Sequence, residues 1–284
     1  MAWFEREPKP IHGSQDKSVR TEGLWLRCEG CHKILWKKKL EVHLNVCPNC
    51  KYHFRIDSRA RLKLLLDEGS IQIHDSGLTS TDPLSFSAGD RPYKTRLEQA
   101  QAVTGLRDAV IHASGTLERQ PVFISVLEFS FIGGSMGAAM GEGITRGIEK
   151  ACQARQPMVV VSGSSGARMM EGTVALMQMA KISSALARFH FLRLPYISVV
   201  TDPTTGGVLA SFGMLGDLNI AEPGALLALT GARVIEATIG HKIPKDARRS
   251  ELTLKHGMLD AVVQRKDLKR YIGRALQFMA SSDV

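Results

Sequence analysis

Short apolar runs alternate with longer segments that carry apolar residues at helical spacing along most of the chain. The short runs are rich in β-branched residues, which predicts buried strands at 108–113, 121–131, 158–162 and 195–201. The longer segments predict helices at 59–68, 93–103, 136–154, 167–190, 208–219 and 267–279. A polar stretch at 74–92 predicts a loop. Alternation of strands and helices is typical of an α/β layered domain.

The composition is that of an ordinary globular protein. Of its 284 residues, 44% are apolar and 23% are charged, and mean hydropathy is −0.06. These values exclude collagen-like, disordered and coiled-coil proteins. No stretch reaches the roughly 18 uninterrupted apolar residues of a membrane span, and residues 1–5 do not resemble the start of a secretory signal. We therefore expect a cytoplasmic protein with no membrane partner.

Four of the five cysteines form two pairs, Cys28-x2-Cys31 and Cys47-x2-Cys50, separated by 15 residues. Two such knuckles point four thiolates at one centre, which predicts one structural Zn²⁺ per chain, with no open coordination position. Disulfides are the alternative, and the unpaired Cys152 and the missing secretory signal disfavour them. Residues 34–44 alternate enough to form strands of a zinc ribbon. We divide the chain into an N-terminal region with this ribbon, 1–56, and a main domain, 57–284.

The positive charge is concentrated near the N-terminus. Residues 1–65 hold 14 Lys and Arg against 7 Asp and Glu, so this part carries +7 of the net charge of +9. Aromatic residues lie between the basic ones, a mixture that could bind single-stranded nucleic acid. It could equally cover one end of a cleft for an anionic cofactor, and the aromatics could simply form the ribbon's core. The residues concerned are Arg27, Lys33, Lys37, Lys38, Lys39, Lys51, Arg55, Arg59 and Arg61, with Trp25, Trp36, Tyr52 and Phe54.

Glycines concentrate where predicted strands meet predicted helices, at 133–137, 163–172 and 202–207. None of these turns has the spacing of a dinucleotide fingerprint, a P-loop or a hydrolase nucleophile elbow. Such turns leave backbone N–H groups free to face an anion or a developing oxyanion. We favour this function for 202–207, whereas for any single glycine a tight turn or close packing is the simpler explanation.

Side chains suited to acid–base catalysis are not evident at the strand ends. There is no His–carboxylate pair, and Glu142, Glu171 and Asp202 are scattered, so they are candidates for helix caps or for partners of a helix dipole. Arg168 is expected to form a salt bridge. Chemistry here would rest on backbone donors, with a base supplied by a substrate or cofactor.

Several motifs, in order, resemble the bacterial acetyl-CoA carboxylase carboxyltransferase β subunit family. The resemblance runs from about residue 3 to residue 263. It rests on the four cysteines and on the segments at 131–137 (FIGGSMG), 164–172 (SSGARMMEG), 202–208 (DPTTGGV), 216–223 (GDLNIAEP) and 233–236 (RVIE).

The resemblance implies a crotonase-like ββα superhelix preceded by the zinc ribbon. It implies a partner α subunit in an α2β2 heterotetramer, a biotin carboxyl carrier protein, and biotin carboxylase in the larger complex. The implied reaction transfers a carboxyl group from carboxybiotin to acetyl-CoA, giving malonyl-CoA for fatty acid synthesis. A related acyl-CoA carboxylase or decarboxylase subunit is the alternative, and such relatives generally lack the ribbon.

The resemblance also implies the site residues. Backbone N–H groups of Gly206 and Gly207, and secondarily of Gly166 and Ala167, would stabilise the enolate and ureido oxyanions. Where the family usually has two glycines, this chain has Ser165 before Gly166, and a serine is strained at positive φ. Residues 246–250 also depart from the family, which bears on an interface and not on the reaction.

Overall fold

The protein is described by a computed structural model over residues 24–244 and 246–280. The expected absence of a secretory signal and the first part of the N-terminal region lie outside these residues. The helices are α1 Lys37–Val42, α2 Ser58–Leu65, α3 Tyr93–Thr104, α4 Ala138–Ala154, α5 Gly172–Phe191, α6 Gly206–Leu209, α7 Ala232–Ile239, α8 Ser250–Lys255 and α9 Leu268–Ala280. The strands are β1 Trp25–Arg27, β2 Ile34–Trp36, β3 Gln72–His74, β4 Ser87–Ala88, β5 Arg91–Pro92, β6 Val110–Leu117, β7 Gln120–Leu127, β8 Met158–Ser164, β9 Tyr196–Thr205, β10 Leu218–Ala221, β11 Leu227–Ala228 and β12 Ala261–Val262.

One eight-stranded sheet forms the centre of the main domain. Its order is β12-β10-β9-β8-β7-β6-β3, with β11 paired to the end of β9. Strands β7 to β10 run parallel, whereas β6 and β3 join antiparallel. Helix α4 connects β7 to β8 and α5 connects β8 to β9. The carboxyl ends of β7, β8 and β9 therefore meet at one edge of the sheet, which places their following turns side by side.

Helices cover the sheet on both faces. In β8, Met158 and Val160 pack into one apolar cluster with α4 and α5, while Val159 and Val161 pack into another with α2 and α9. All seven residues of β8 are buried. A strand buried on both faces reads as a continuous apolar run, which is why the sequence predicted it correctly. Within the described ranges, no helix is long and apolar enough to cross a membrane.

The predicted helix at 208–219 is wrong. Helix α6 ends at Leu209, a 3₁₀ turn follows at Phe212–Met214, and β10 begins at Leu218. The chain turns sharply there, and the turn requires glycine, because a Cβ built on Gly213 would lie 2.7 Å from the Val208 carbonyl oxygen. The following residues then gain more from pairing in parallel with β9 than from continuing a helix.

The ribbon is only partly the expected pair of strands. Strands β1 and β2 form an antiparallel hairpin with Trp25 opposite Trp36, but residues 37–42 form helix α1 instead of continuing the strand. Lysine, leucine and glutamate are good helix formers, and Leu40 alone of these six residues is buried. The boundary that we draw after residue 56 precedes α2, whose first turn is capped by Asp57, and it remains a proposal.

Candidate functional site

The turns after β8 and β9 lie directly against each other. A Cβ built on Gly166 would lie 3.2 Å from the Gly206 Cα and 3.3 Å from the Gly207 nitrogen. A Cβ built on Gly207 would lie 3.7 Å from the Ala167 nitrogen and 2.8 Å from the Met179 sulfur. The four residues predicted for the site are thus brought together, with contacts tight enough to favour glycine at 166, 206 and 207.

Two of the four backbone N–H groups in these turns are available to a ligand. Among the described residues, the N–H groups of Ala167 and Gly207 have no hydrogen-bond acceptor, and these residues are partly exposed. The parallel pairing of Thr205 with Ala228 instead directs the Gly206 N–H to the Ala228 carbonyl. The N–H of Gly166 differs, because Gly166 is buried and donates to the Ser164 hydroxyl at 3.0 Å. The available donors therefore come from both turns.

Serine at 165 does not distort the first turn. The left-handed conformation falls on Gly166, with φ +105°, and Ser165 is not among the residues with positive φ. In the second turn it falls on Gly206, with φ +58°. Since glycine adopts these conformations without a Cβ clash, the substitution of the family's usual first glycine leaves the turn unstrained.

A buried ion cluster lies behind the first turn. Arg168 follows Ala167, and its side chain has no exposed surface. Its guanidinium donates to both carboxylate oxygens of Asp108 at 2.9 and 3.0 Å, and to Glu171 at 3.2 Å. The Tyr93 hydroxyl donates to Glu171 at 2.5 Å, and burial raises the pKa of Tyr93. The expected salt bridge of Arg168 is confirmed, and each buried charge in the cluster has a partner.

The same cluster joins the first turn to the loop before α4. The Met136 N–H donates to the Gly166 carbonyl, and the Arg168 N–H donates to the Met136 carbonyl, both at 2.8 Å. Glu171 accepts the Ala138 N–H at 2.6 Å. Because Ala138 opens α4, Glu171 satisfies an N–H that has no partner within the helix, so the expectation that it caps a helix is confirmed.

The second turn is supported by a more exposed set of contacts centred on Asp202. The Asp202 carboxylate accepts the Leu226 N–H at 3.0 Å and pairs with Arg249 at 3.2 Å. Arg55 donates from Nε to the Asp202 carbonyl at 3.1 Å and pairs with its carboxylate at 3.4 Å. The Arg55 and Arg249 side chains are 53% and 42% exposed, so solvent screens both ion pairs.

The ribbon is held to the main domain by a second buried ion cluster. Glu222 lies between Arg61 and Arg265, and Arg265 donates to both of its carboxylate oxygens at 2.8 Å. Arg265 also donates to the carbonyls of Leu44 and Asn45 in the ribbon, at 2.9 and 3.3 Å. Although burial opposes it, the two guanidiniums hold the pKa of Glu222 well below its usual range. Arg61 is therefore buried and paired, which corrects its place among the basic residues offered to an anionic partner.

The four paired cysteines form a candidate metal centre. Their sulfur atoms all lie within 4.8 Å of one another. The Cys28–Cys50 and Cys31–Cys47 sulfur separations are 3.6 and 3.9 Å. Four sulfurs at about 2.3 Å from a tetrahedral zinc would be roughly 3.8 Å apart, so the residues present fit the ion. These separations are too long for disulfide bonds, and the cysteines are free.

Backbone N–H groups of the second knuckle favour a thiolate. Although burial opposes it, hydrogen bonds from the Cys50 and Asn49 backbones lower the pKa of Cys47 to about 7. Burial and the neighbouring sulfurs raise the pKa of Cys50 to about 12. All four cysteines must be thiolates to bind the metal. A bound cation would supply the positive charge that stabilises these four thiolates in one place.

The aromatic residues of the ribbon divide between core and surface. Tyr52 and Phe54 pack against the buried cysteines, with ring centroids 5.0 Å apart in an edge-to-face contact. Trp25 and Trp36 are 54% and 43% exposed, and the Lys38 ammonium lies 5.9 Å from the Trp36 ring centroid. The small-core explanation therefore holds for one aromatic pair and not for the other.

Sequence reasoning missed the carboxylates that meet Arg168 and Arg265. Asp108 and Arg168 are 60 residues apart, and Glu222 and Arg265 are 43 residues apart. The available signal was a charge at the start or end of an apolar strand run. A charge in such a place is buried with the strand and needs a partner.

The fold and the site together define a class: an α/β protein with amide donors at paired turns and a four-cysteine cluster. The chain matches the carboxyl transferase domain family over residues 67–279. It is 49% identical over 280 residues to the acetyl-coenzyme A carboxylase carboxyl transferase subunit beta of Citrifermentans bemidjiense, covering 98% of this chain and 99% of the relative. It is 45% identical to the protein of the same name from Synechococcus elongatus, covering 98% and 91%. The chain belongs to the carboxyl transferase family.

Solved structures agree on the fold. Transcarboxylase 12S superposes with a TM-score of 0.66 at 24% identity, covering 78% of this chain and 40% of the transcarboxylase chain. The Pseudomonas malonate decarboxylase MdcD–MdcE heterodimer superposes with a TM-score of 0.61 at 22% identity, covering 80% of this chain and 86% of that one. The predicted crotonase-like α/β fold is confirmed, as is the predicted class of enzyme, a carboxyltransferase subunit.

Proposed function

We propose that this chain is the β half of an acetyl-CoA carboxylase carboxyltransferase. It would transfer the carboxyl group of carboxybiotin, carried on the biotin carboxyl carrier protein, to acetyl-CoA and so form malonyl-CoA for fatty acid biosynthesis. Relatives that match this chain over nearly their whole length are named as acetyl-coenzyme A carboxylase subunits, which supports acetyl-CoA as the substrate over another acyl-CoA. The observation that carries the mechanism is the pair of unpaired N–H groups at Ala167 and Gly207, one in each turn.

The amides would act on the charge that builds on oxygen. Removing a proton from the acetyl methyl group puts negative charge on the thioester oxygen, and losing CO₂ from carboxybiotin puts charge on the ureido oxygen. The ureido nitrogen takes up the methyl proton, and the enolate carbon attacks CO₂. One well-placed N–H donor to such an oxyanion lowers the activation free energy by roughly 2.7–4 kcal/mol. Two donors fixed by the two turns therefore supply a large part of the catalysis.

We assign Ala167 and Gly207 as the donors, and give the two positive-φ glycines, Gly166 and Gly206, a conformational role. The N–H of Gly166 is already satisfied by Ser164, whereas its φ of +105° aims the next amide outward. No side chain of the cluster behind the turn is assigned as a base, because the Asp108 and Glu171 carboxylates are both buried and bound to Arg168.

We propose that Cys28, Cys31, Cys47 and Cys50 hold one structural Zn²⁺. A ribbon of about 30 residues buries too little apolar surface to fold without such a ligand. The ion would fix the ribbon and, through the chain that leaves it, the position of Arg55.

We further propose an α2β2 heterotetramer with the carboxyltransferase α subunit, acting in the cytoplasm with biotin carboxylase and the carrier protein. Large apolar side chains lie exposed beside the site. Met169, Val174 and Met177 are 80%, 41% and 62% exposed, next to the turn that ends in Glu171. Apolar side chains grouped around a polar site are typical of a surface covered by a partner subunit.

Reconstitution tests the proposed function. The zinc-loaded chain is mixed with a carboxyltransferase α subunit, carboxybiotinylated carrier protein and acetyl-CoA, and malonyl-CoA is measured. We expect product from the pair and none from either subunit alone. An assembled, zinc-bound pair that forms no malonyl-CoA would contradict the proposal.

Binding of single-stranded nucleic acid stays a second candidate, supported by exposed Trp25 and Trp36 beside Lys37, Lys38 and Lys39. Phosphate contacts make affinity fall steeply with salt. We expect single-stranded RNA to bind less tightly once the three lysines are changed to alanine. Binding that is insensitive to salt and to these changes would exclude this candidate.

A further inference from the structure

A cavity of about 390 Å³ lies on the edge of the main domain, away from the two glycine turns. It is enclosed by α2, by the edge strand β3 and by the segment that joins α3 to β6. Its walls are largely aliphatic, formed by Leu62, Ile71, Ile73, Leu78, Leu106 and Ile111. Pockets for small ligands span roughly 300–1,000 Å³ and are mostly apolar, so this cavity has the size and lining of one.

The carboxylates on the wall of the cavity are already held in ion pairs. Asp108 is bound by Arg168. Asp75 pairs with Lys150 at 2.5 Å and with Arg146 at 3.8 Å. These partners leave no unpaired acid in the wall to repel an anion.

The histidines on the wall are neutral at physiological pH. Burial lowers the pKa of His112 to about 4 and also lowers the pKa of His74. His112 contacts the Ser125 hydroxyl and His74 the Ser114 hydroxyl, both at 2.8 Å. Neither ring therefore adds charge to the cavity.

The cations at the rim have no such partner. Among residues 24–244 and 246–280, the side chains of Lys63 and Arg107 make no ion pair. Arg59 donates only to a neutral acceptor, the Thr104 carbonyl, at 3.1 Å. An apolar well with unpaired cations at its mouth is complementary to a molecule with an aliphatic body and one anionic end.

We propose that this cavity is a binding site for an aliphatic carboxylate of medium chain length. The hydrocarbon lies between Leu62, Ile73 and Leu106, and the carboxylate lies at the rim between Lys63 and Arg107. The site is separate from the carboxyltransferase site and does not depend on the proposed function. It shares Asp108 with the cluster behind the first turn, so an occupant contacts a segment that anchors Arg168.

Decanoate is the probe, with full-length, zinc-loaded protein and isothermal titration calorimetry. We expect one site per chain, and affinity that rises about threefold to fourfold for each methylene added between hexanoate and decanoate, as burial of a CH₂ group requires. Decanol, which lacks the charge, is expected to bind at least tenfold more weakly. Non-saturable binding, or equal binding of decanol and decanoate, would overturn the proposal.

Two variants locate the site. Ile73→Asp places a negative charge in the wall at a side chain that is 52% exposed, and we expect at least a tenfold loss of decanoate affinity. Its control is Val234→Asp on α7, 59% exposed and remote from the cavity lining. The K63A/R107A double variant is expected to lose at least tenfold, whereas the charge-matched K94A/K255A variant keeps the wild-type affinity.

Thermal unfolding confirms that each variant is folded before its affinity is compared. Unchanged affinity in both Ile73→Asp and the K63A/R107A variant would contradict the assignment. Coenzyme A at saturating concentration should leave decanoate binding unchanged, and displacement by it would place the cavity within the acyl-CoA site and overturn the proposal.

Discussion

The two turns that form the site are alike in backbone and different in what supports them. Each follows a parallel strand and carries a glycine at positive φ, Gly166 in the first turn and Gly206 in the second. Behind the first lies Arg168, with no exposed surface and two buried carboxylate partners. The second is supported by Asp202, whose two arginine partners are about half exposed.

This difference in burial implies that the first turn is held rigidly by the main domain, whereas the position of the second turn depends on contacts with the ribbon. A fully buried ion pair is costly to break, because the remaining charge stays buried without a partner, so the first turn is fixed within the main domain. The second turn receives Arg55 from the segment that leaves the ribbon. Its position therefore depends on a second part of the molecule and on solvent-screened contacts.

Removing the metal should have the largest effect on folding, and it should affect the second turn but not the first. The free energy of zinc binding to small domains is roughly 10–16 kcal/mol and is spent on folding them, so we expect chelation to unfold residues 24–56. Hydrogen exchange should then rise in the ribbon and at the bonded amide of Thr204 in the second turn, while the bonded amides of Ser165 and Arg168 in the first turn stay protected. Equal loss of protection in both turns would show that the ribbon supports the whole site.

Arg168→Met should lower the free energy of unfolding by roughly 3–5 kcal/mol, since Asp108 and Glu171 would lose their buried partner. Arg249→Met, which removes an exposed partner of Asp202, should cost at most about 1 kcal/mol. Denaturant titration of both variants measures the comparison. If Arg168→Met does not fold, Tyr93→Phe removes only the hydroxyl that bonds Glu171, at roughly 1 kcal/mol. Similar losses for Arg168→Met and Arg249→Met would contradict the contrast between the turns.

Gly206→Ala should lower kcat for malonyl-CoA formation by roughly 10²–10³ with little change in the acetyl-CoA KM. A Cβ at φ +58° would press on the Gly166 Cα at 3.2 Å, separating the turns and moving the donors. Gly257→Ala is the matched control, because Gly257 has φ +75° with no atom within 4 Å of a built Cβ. It carries the same backbone strain and should leave kcat unchanged. If kcat fell equally in both variants, the cause would be a loss of stability and not displacement of the donors.

Local patterns in the sequence were enough for the ribbon's ligands and for the central strands. The spacing of Cys28, Cys31, Cys47 and Cys50 is a local feature, and β8 is apolar throughout because both of its faces are covered. The helix predicted at 208–219 was wrong because the structure of that segment is decided by another part of the chain. Its helical spacing was real, but pairing of β10 with β9 is a tertiary interaction that a single sequence does not display.

The candidate site shows the same division. The glycine turns could be predicted because several glycines are grouped where an apolar strand pattern gives way to a helical one, and glycine accepts the positive φ of such turns. That Ala167, and not Gly166, keeps a free N–H depends on the rotamer of Ser164, which a sequence does not specify. The partners of Arg168 could not be predicted, because Asp108 reaches it only through the antiparallel pairing of β6 with β7.

The smallest expected effect is that of Arg55→Ala, and it tests the weaker support directly. The pair with Asp202 is 3.4 Å long and the guanidinium lies 4.2 Å from the Phe129 ring centroid, so the loss of unfolding free energy should be about 1 kcal/mol or less. Ion pairs that solvent reaches weaken with salt, so the wild type and the variant should converge as ionic strength approaches 1 M. Lys94→Ala, a change of the same charge with no ion pair in the described chain, should show no such convergence. If Arg55→Ala instead matched Arg168→Met in its cost and ignored salt, the second turn would be as firmly anchored as the first, and the ribbon would be a structural part of the site.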